Sequence, residues 1–451
     1  MNLKNNKSLI FFLAFTPSIL LAEPTPTQPI DFGGGLDVRT VPTLVADNAS
    51  VDLCNCAPTL DGAMSKRNGS ERFIRQAISS MGVTSLFQAY SSTANGIIFK
   101  GLFGSSADKI FYSSNPLSPA WVVISSNNGI GQHYEFLTMN GKVLMAGDGL
   151  TENVKQYDLA QSSQYATRNA FASDNSTGGI VPRGKHHIAV SNYYLLANVQ
   201  ISTDSKHLIN NTTYYPSRML YSLLNNFSSM TAQRFIDYNS NDGEEITGLG
   251  SLFGANFNTV VNVFKPSSIG ELSWTNALNL PNQGGDWQFT EVVKGFGLVA
   301  PRTLANTGQF YVFLAKDGVR VWDGGRQSRL TATDSSRIIS GKIKPIIDEL
   351  IRSGNYKNAV GVYYPKNEWY ILSFESPTRF PKGKNNYVLV YDFSKGEWWP
   401  FCNWLADSFT VADNAGDNGT LYFGQSNDGF VNKADVETRM DDHRQEIVID
   451  V

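Results

Sequence analysis

Histidine is the residue type that most often does acid–base chemistry or binds metal near neutral pH, and this chain of 451 residues has few of them. None falls in an H-E-x-x-H motif or in an i, i+4 pair, as a helical zinc site requires. The adjacent pair precedes "IAVSNYYLLANV" and is typical of the polar start of a strand rather than of a metal pair. The histidines are His133, His186, His187, His207 and His443.

A pair of carboxylates is the second arrangement that could do chemistry, because glycosidases place one on each side of the scissile bond. The segment "NSNDGEEITGLG" supplies Asp242, Glu244 and Glu245. Two catalytic carboxylates need separated positions and different environments, whereas these three crowd a single turn. The pattern therefore favours a solvated loop with a turn-forming Asp-Gly pair. The Asp-rich turns in "GDGLTENVKQYD" and "SNDGF" lack the ligand spacing of an EF-hand calcium loop.

Cysteine chemistry is also poorly represented. Cys54, Cys56 and Cys402 are too few for a disulfide framework. The Cys-x-Cys pair lacks the second half of a zinc site, so we interpret it as two small buried residues in a strand. The chain has neither a G-x-S-x-G nucleophile elbow nor a Walker phosphate loop. We predict that the protein is not an enzyme and that it has no cofactor and no metal.

The elements that must position any functional residue are β-hairpins. Apolar, β-branched or aromatic runs repeatedly meet at turns such as Lys-Asp-Gly, Ser-Lys-Gly and Asn-Asp-Gly. The segments are Lys109–Ile124, Gly141–Asp158, a weaker one from Ser217, Asn258–Trp274, Gly308–Gly324, Ala359–Phe374, Asn386–Phe401 and Gly419–Asp435. So many hairpins indicate radial repetition, which leaves few free sheet edges. We predict an all-β fold, an irregular β-propeller of antiparallel hairpins with six, seven or eight blades.

Local patterns predict three details of this fold. Pro345 and Gly354 bracket a run of isoleucines and leucines at helical spacing, which predicts one short helix near 345–353; Asp334 or Ser335 can cap its start. Asp317-Gly318 predicts a tight turn with positive φ at Gly318. The glycines of "DFGGGLDVRT" indicate a close backbone approach or a bulge.

Tryptophans lie near the hairpin ends, where they could stack on sugars or seal a subunit contact. We interpret them instead as filling the cores of the blades. They are Trp274, Trp322, Trp398, Trp399 and Trp404.

Composition restricts the class of partner. Apolar residues make up 41% of the chain and aromatic residues 12%, enough for a large core. Charged residues make up only 17%, against a typical value of about 25%. The net charge of −3 excludes a global basic field that recruits nucleic acid. A wall of this charge can still line a DNA conduit, because it does not trap phosphates.

The N-terminus resembles a secretory signal. Lys4 and Lys7 precede the apolar stretch Leu9–Leu21 and Ala22, while Pro17 argues against a continuous spanning helix. We divide the chain into a signal-like leader (1–22), a Pro/Thr linker (23–29), an entry segment (30–83), the propeller (84–435) and a C-terminal tail (436–451). We expect the first strand of the entry segment, near Ile30–Thr40, to help close the propeller.

Several phrases, in this order, resemble a family of phage virion proteins. The family opens with D-F-x-G-G-L, here Asp31–Leu36, followed by a D-N-x-A/S-x-D-x-x-N turn, here Asp47–Asn55. A K-R-x-G signature follows at Lys66–Gly69, and the stretch Tyr215–Gly324 resembles the middle of the family. The resemblance covers most of residues 30–435. Each phrase is weak alone, but their order is hard to obtain by chance.

The resemblance implies the tail hub, or nozzle, of short-tailed phages. Members are implied to be structural β-propellers that form a ring, a hexamer, around the DNA conduit of the head–tail connector during DNA ejection. Implied partners are adaptor or portal proteins and tail fibre or spike proteins, and DNA passes without sequence-specific binding. We place the assembly contact in the entry segment, at Asp31, Phe32, Gly33, Gly34, Leu36, Arg39, Asp47, Asn48, Lys66 and Arg67.

The expected location follows from the same resemblance. It is the virion tail, assembled in the host cytoplasm, although the signal-like N-terminus leaves secretion open. The alternative function is a secreted β-propeller that binds or hydrolyses a glycan.

Overall fold

The computed structural model describes residues 33–59, 63–93, 96–113, 120–160, 167–171, 180–202, 212–253, 259–275, 286–324, 336–379, 383–412 and 419–436. The predicted leader, linker and C-terminal tail lie outside the described residues, and so do Asp31, Phe32, His207 and His443. Within the described ranges, no helix is long and apolar enough to cross a membrane.

The described strands form seven four-stranded antiparallel sheets, the blades of a β-propeller. Three short strands precede the first blade: β1 Cys56–Pro58, β2 Met64–Lys66 and β3 Gly69–Arg72. Blade 1 comprises β4 Val83–Thr93, β5 Gly96–Ser106, β6 Lys109–Ser113 and β7 Val122–Ser125. Blade 2 comprises β8 Tyr134–Met139, β9 Lys142–Gly147, β10 Lys155–Asp158 and β11 Arg168–Asn169. Blade 3 comprises β12 Arg183–Val190, β13 Tyr193–Ser202, β14 Thr212–Tyr221 and β15 Phe235–Asp237.

The remaining blades follow the same order along the chain. Blade 4 comprises β16 Gly248–Phe253, β17 Thr259–Phe264, β18 Ser268–Thr275 and β19 Asp286–Lys294. Blade 5 comprises β20 Ala305–Asn306, β21 Tyr311–Ala315, β22 Gly318–Trp322 and β23 Ser336–Ile338. Blade 6 comprises β24 Val360–Tyr364, β25 Trp369–Phe374, β26 Tyr387–Asp392 and β27 Glu397–Cys402. Blade 7 comprises β28 Ala406–Ala412, β29 Thr420–Gln425, β30 Val431–Val436 and, from the N-terminal part, β3.

The prediction of an all-β propeller is confirmed, and the number of blades is seven. The predicted hairpins outnumber the blades because two of them share one sheet. Ala359–Phe374 corresponds to β24–β25 and Asn386–Phe401 to β26–β27, both in blade 6. The first strands of the blades lie nearest the axis, since β28 contacts β4, β4 contacts β8, and β8 contacts β12 around the ring.

The middle strands of the blades are buried on both faces because each blade packs between two neighbours. Every residue of β21, β26 and β29 is buried. Strands in that position are apolar runs instead of the alternating patterns of half-exposed sheets. Four of the tryptophans fill this core, as predicted, and the side chain of Trp274 lies outside the described residues. The four are Trp322, Trp398, Trp399 and Trp404.

The strand that closes the ring is β3, which pairs antiparallel with β30. The prediction that Ile30–Thr40 closes it was therefore wrong. In the described part of that segment, Leu36 makes a single bridge to Ser50, and the backbone instead lies along blade 6. A three- or four-residue closing strand carries almost no local signal, because its partner lies at the other end of the chain.

The described residues contain one α-helix, Lys344–Ser353, as predicted. Pro345 occupies its first turn, and Gly354 ends it in the left-handed conformation with φ of 77°. Ile343 occupies the N-cap position, so Asp334 and Ser335, which lie outside the described residues, are too distant in sequence to cap it. Short 3-10 helices span Pro42–Leu44, Pro301–Thr303, Asn355–Asn358 and Pro365–Asn367.

Gly318 begins β22 directly after the two-residue turn Lys316-Asp317, and its φ is +152°. A Cβ at this position would lie 2.6 Å from the Ser340 hydroxyl, which holds the backbone N–H of Val319. We expect Gly318→Val to lower the free energy of unfolding by about 1–3 kcal/mol, through overpacking and an unfavourable φ. Chemical denaturation is the measurement. Gly341→Val is the matched control, because only Arg39 comes as close as 4.0 Å to its Cβ position. Equal stability of the two variants would refute the steric and conformational requirement for glycine at position 318.

Candidate functional site

A cavity of about 490 Å³ lies at the axis, at the end where the first strands of the blades begin. Its wall is formed by short segments at or just before those strands. The segments are His133–Glu135 of blade 2, Lys185 and His186 of blade 3, Glu245–Thr247 before blade 4, Pro301 and Arg302 before blade 5, and Tyr356–Asn358 before blade 6. The cavity therefore brings together residues that are far apart in the sequence.

One side of this axial cavity is built around Arg302. Its guanidinium donates to the carbonyl oxygen of Asn358 at 2.7 Å and to that of Asp407 at 3.0 Å. The same group forms an ion pair with the Asp407 carboxylate at 3.3 Å, and Lys384 contacts the other oxygen of that carboxylate at 2.6 Å. The side chain of Asp407 is only 1% exposed, so one buried carboxylate compensates two cations.

His133 lies beside this cluster. Its Nδ1 is 2.8 Å from the carbonyl oxygen of Thr84 and 2.9 Å from a guanidinium nitrogen of Arg302. Burial, and then the charges of Arg302 and Lys384, hold the pKa of His133 well below its usual value. The imidazole is therefore neutral at neutral pH. The backbone N–H of His133 donates separately to the carboxylate of Asp148 at 3.1 Å.

The two adjacent histidines point in different directions, as alternation along β12 requires. His186 faces the axial cavity, and its Nδ1 lies 2.5 Å from Glu135 Oε1. His187 faces the blade core, where its Nδ1 lies 3.0 Å from the Tyr194 hydroxyl. Burial raises the pKa of Glu135, but its electrostatic contact and hydrogen bond with the His186 imidazole outweigh burial, and the net shift is downward. Both histidines belong to a strand, as predicted, but they lie in the middle of β12 and not at its start. His186 also lines the cavity, which the alternation of side chains along the strand could have suggested.

The three carboxylates of the "NDGEE" turn have three separate partners. Asp242 forms an ion pair with the fully buried ammonium of Lys265 at 2.7 Å. It also accepts the backbone N–H of Glu244, as predicted for an Asp-Gly turn. Glu244 accepts the hydroxyl of Ser267 at 2.8 Å, while Glu245 lines the cavity. Asp242 and Gly243 are exposed, as predicted for a solvated turn, whereas Glu245 is only partly exposed. Neighbouring blades supply the cations of Asp242 and Glu245, which the local sequence does not show.

Glu245 is held by three donors on one oxygen. Lys185, the amide of Asn198 and the hydroxyl of Tyr214 contact Glu245 Oε2 at 2.7, 2.8 and 3.0 Å. Burial raises the pKa of Glu245, but the bonds from Lys185 and Asn198 outweigh it and lower the pKa overall. Glu245 is therefore ionised at neutral pH. Among the described residues, no group of three or more His, Cys, Asp or Glu side chains could hold a metal ion.

The second candidate site is an N-terminal arm, residues 33–56, which lies along the outer strand of blade 6. Its backbone pairs with that strand at Leu36 N–H to Trp398 O (2.9 Å) and at Asn55 N–H to Pro400 O (2.9 Å). Gly35 adopts φ of 65°, and a Cβ there would lie 2.9 Å from the Trp398 carbonyl oxygen. The predicted close backbone approach at these glycines is confirmed, with blade 6 as the surface approached.

The three N-terminal phrases of the family resemblance meet at this arm, within the part of the chain that the structure describes. The first contacts the second where Gly34 N–H donates to the carbonyl oxygen of Asn48 at 2.9 Å. The second contacts the third where Arg67 Nε donates to Asn55 Oδ1 at 2.8 Å. Arg67 is 1% exposed and its guanidinium lies over the Trp404 ring at 5.2 Å. Residues of the three N-terminal phrases therefore contact one another in one local structure.

A disulfide between Cys54 and Cys402 joins the arm to the last residue of β27. Sequence reasoning missed it, because 348 residues separate the two cysteines and only the folded ring places their Cα atoms 5.8 Å apart. The neighbouring thiol of Cys56 is buried and contacts the carbonyl oxygen of Cys54 at 3.3 Å. The interpretation of Cys54 as an unlinked buried residue was therefore wrong.

The predicted contact residues fall into two groups. Gly34, Leu36 and Arg67 are buried within their own chain, and Gly33 and Lys66 are partly buried. Arg39, Asp47 and Asn48 are exposed and flank an apolar turn. Asp31 and Phe32 lie outside the described residues. An assembly role for these residues stays a prediction, and the exposed group is the part that a partner can reach.

Two solved structures are similar to this chain at low sequence identity. No family model and no curated protein matches the chain. The WD40 β-propeller domain of Doa1 aligns with a TM-score of 0.41 and 9% identity, over 81% of this chain and 96% of that one. BBS1N, solved in complex with ARL6DN, aligns with a TM-score of 0.44 and 8% identity, over 81% of this chain and 97% of that one. At these identities nothing about function follows.

Proposed function

We propose that the protein is a structural subunit of a short-tailed phage tail, a β-propeller that forms a ring at the head-to-tail conduit for DNA. The observation that carries the proposal is the convergence of the three virion-family phrases on the N-terminal arm. In this proposal the residues of these phrases hold the arm rigidly, so that its exposed turn can contact a neighbouring subunit.

The proposed DNA path runs through the centre of the ring of subunits and not along the axis of one propeller. One end of that axis holds the axial cavity, whose ion pairs include Arg302–Asp407 and Lys185–Glu245. A space of about 490 Å³ is suited to a small molecule and not to a duplex. The low charge of the chain is compatible with a conduit wall that does not retain phosphates.

The turn of the arm has the character of a contact surface. Val41, 60% exposed, directly precedes the 3-10 helix Pro42–Leu44, and Leu44, 75% exposed, is its last residue. The preceding residues are fixed by Asp37, whose carboxylate accepts the backbone N–H groups of Arg39 and Thr40. A rigid turn loses little conformational entropy on binding, which favours association.

We expect the double variant Val41→Asp/Leu44→Asp to fold normally but to lose ring assembly, because it places charge in an apolar contact. Native mass spectrometry and incorporation into purified particles are the measurements. Ile130→Asp is the matched control, since Ile130 is 77% exposed on a loop preceding blade 2. Deletion of the whole arm is a poorer test, because it also removes Asn55 and Cys54. A wild-type protein that is monomeric at high concentration and absent from particles would refute the tail-ring function.

The Cys54–Cys402 disulfide favours a second candidate, a secreted propeller that binds or hydrolyses a glycan. Disulfides persist in oxidising compartments and are rare in the cytoplasm, where phage tails assemble. The signal-like leader points in the same direction. Fractionation separates the candidates: secretion with cleavage near Ala22 supports the second, and recovery in particles supports the first.

A further inference from the structure

The fixed charges that line the axial cavity cancel. The three carboxylates that line it are those of Glu135, Asp148 and Glu245. The three cations that line it are Lys185, Arg302 and Lys357. Lys185 is compensated directly by Glu245 at 2.7 Å, and Arg302 by the buried Asp407. A ligand with a net charge would therefore meet as much repulsion as attraction, and it would lose its hydration on entry.

Polar atoms remain open in the wall after these internal contacts are counted. Among the described residues, His133 Nε2, His186 Nε2, Glu245 Oε1 and Asp148 Oδ2 have no hydrogen-bond partner within the chain. The His186 side chain is only 5% exposed, and Glu135 fixes its ring orientation. The open groups are thus two carboxylate oxygens and two imidazole nitrogens, and each nitrogen donates or accepts according to its tautomer.

The rest of the wall is apolar. Ile246, Pro266, Val299 and Pro301 contribute aliphatic surface beside the ring of Tyr356. The volume of about 490 Å³ falls within the range of small-molecule sites. A cavity with an aliphatic side and a polar rim of mixed donors and acceptors suits a ligand that has an apolar face and hydrogen-bonding groups around its edge.

We propose that the axial cavity binds a neutral, hydroxyl-rich small molecule of the saccharide class, one or two sugar rings in size. Every hydroxyl both donates and accepts a hydrogen bond, which matches a wall that offers both imidazole and carboxylate groups. The C–H face of a sugar ring covers the aliphatic wall, while its hydroxyls reach the charged acceptors. The inference does not depend on the tail-ring function, because it concerns the isolated subunit.

The test is saturation-transfer NMR on the full-length protein with glucose, galactose, N-acetylglucosamine, maltose and lactose as probes, and with acetate and inorganic phosphate as anionic probes. We expect at least one neutral sugar to bind and neither anion to bind. Asp148→Asn keeps the oxygen that accepts the His133 N–H and converts the open oxygen into a donor. We expect it to weaken sugar binding about tenfold.

The matched control is Asp158→Asn, at the opposite end of blade 2, where the carboxylate caps the backbone N–H of Ala160. This control should bind sugar as the wild type does. The melting temperatures of both variants should lie within a few degrees of that of the wild type. Failure of every sugar to bind would overturn the proposal. So would phosphate binding without sugar binding, or sugar binding that Asp148→Asn and Glu245→Gln both leave unchanged. Ring assembly is measured separately, so failure of either proposal leaves the other distinguishable.

Discussion

Replacing Asp242 with alanine will lower the free energy of unfolding by about 3 kcal/mol, because it leaves the ammonium of Lys265 buried without its counter-ion. Lys265 has no exposed side-chain surface, and its ammonium contacts both oxygens of Asp242 at 2.7 and 2.8 Å. The Ser217 hydroxyl at 3.1 Å and the Tyr238 ring at 4.7 Å cannot replace the negative charge. Chemical denaturation of the purified variant is the measurement.

The matched control for Asp242 is Asp348→Ala in the helix. Asp348 pairs with Lys344 at 2.7 Å, but both side chains are largely exposed, so we expect a loss within about 0.5 kcal/mol. A second variant, Lys265→Met/Asp242→Leu, removes both charges together and should recover most of the stability. If Asp242→Ala were as stable as the control, the buried pair would not contribute to the folded state.

The same position tests the prediction that the protein is not an enzyme. Asp242→Asn keeps the shape of the side chain, and Glu245→Gln does the same for the carboxylate that lines the axial cavity. We expect neither to change any hydrolytic activity, because each carboxylate is held by its own cation. A glycosidase activity that either substitution abolished in folded protein would support the secreted alternative.

Reduction of the Cys54–Cys402 disulfide will destabilise the protein by about 3 kcal/mol. The bond constrains a very long loop in the unfolded chain, and in the folded protein it holds the N-terminal arm against β27, the outer strand of blade 6. Thermal unfolding with and without a reductant is the measurement, and the melting temperature should fall by several degrees.

The control for this prediction is the double variant Cys54→Ser/Cys402→Ser. It should match the reduced wild type in stability and should not respond to the reductant. Cys56 is then the one cysteine left in the chain, so a response to the reductant would indicate a disulfide between two molecules. A wild-type melting temperature that the reductant leaves unchanged would contradict the assigned role of the disulfide.

The sequence by itself determined the parts of the molecule whose contacts are local. The hairpin β21–β22 is specified by two apolar runs and a two-residue turn, and the helix by Pro345, Gly354 and the spacing between them. Both depend on residues within about 20 positions of one another, where pattern and turn chemistry act directly. The same patterns gave the all-β class, because no other element recurs along the chain.

Only the tertiary structure decided which distant residues meet. The pairing of β3 with β30, the bond from Cys54 to Cys402 and the contact of His133 with Arg302 each join residues more than 150 positions apart. Such contacts form when the ring of blades closes. The number of blades sets the angle between neighbouring blades and so the position of each first strand around the axis. The local sequence pattern carries no information about that closure. The position of the arm, the disulfide and the axial cavity therefore could be seen only in the tertiary structure of the seven blades.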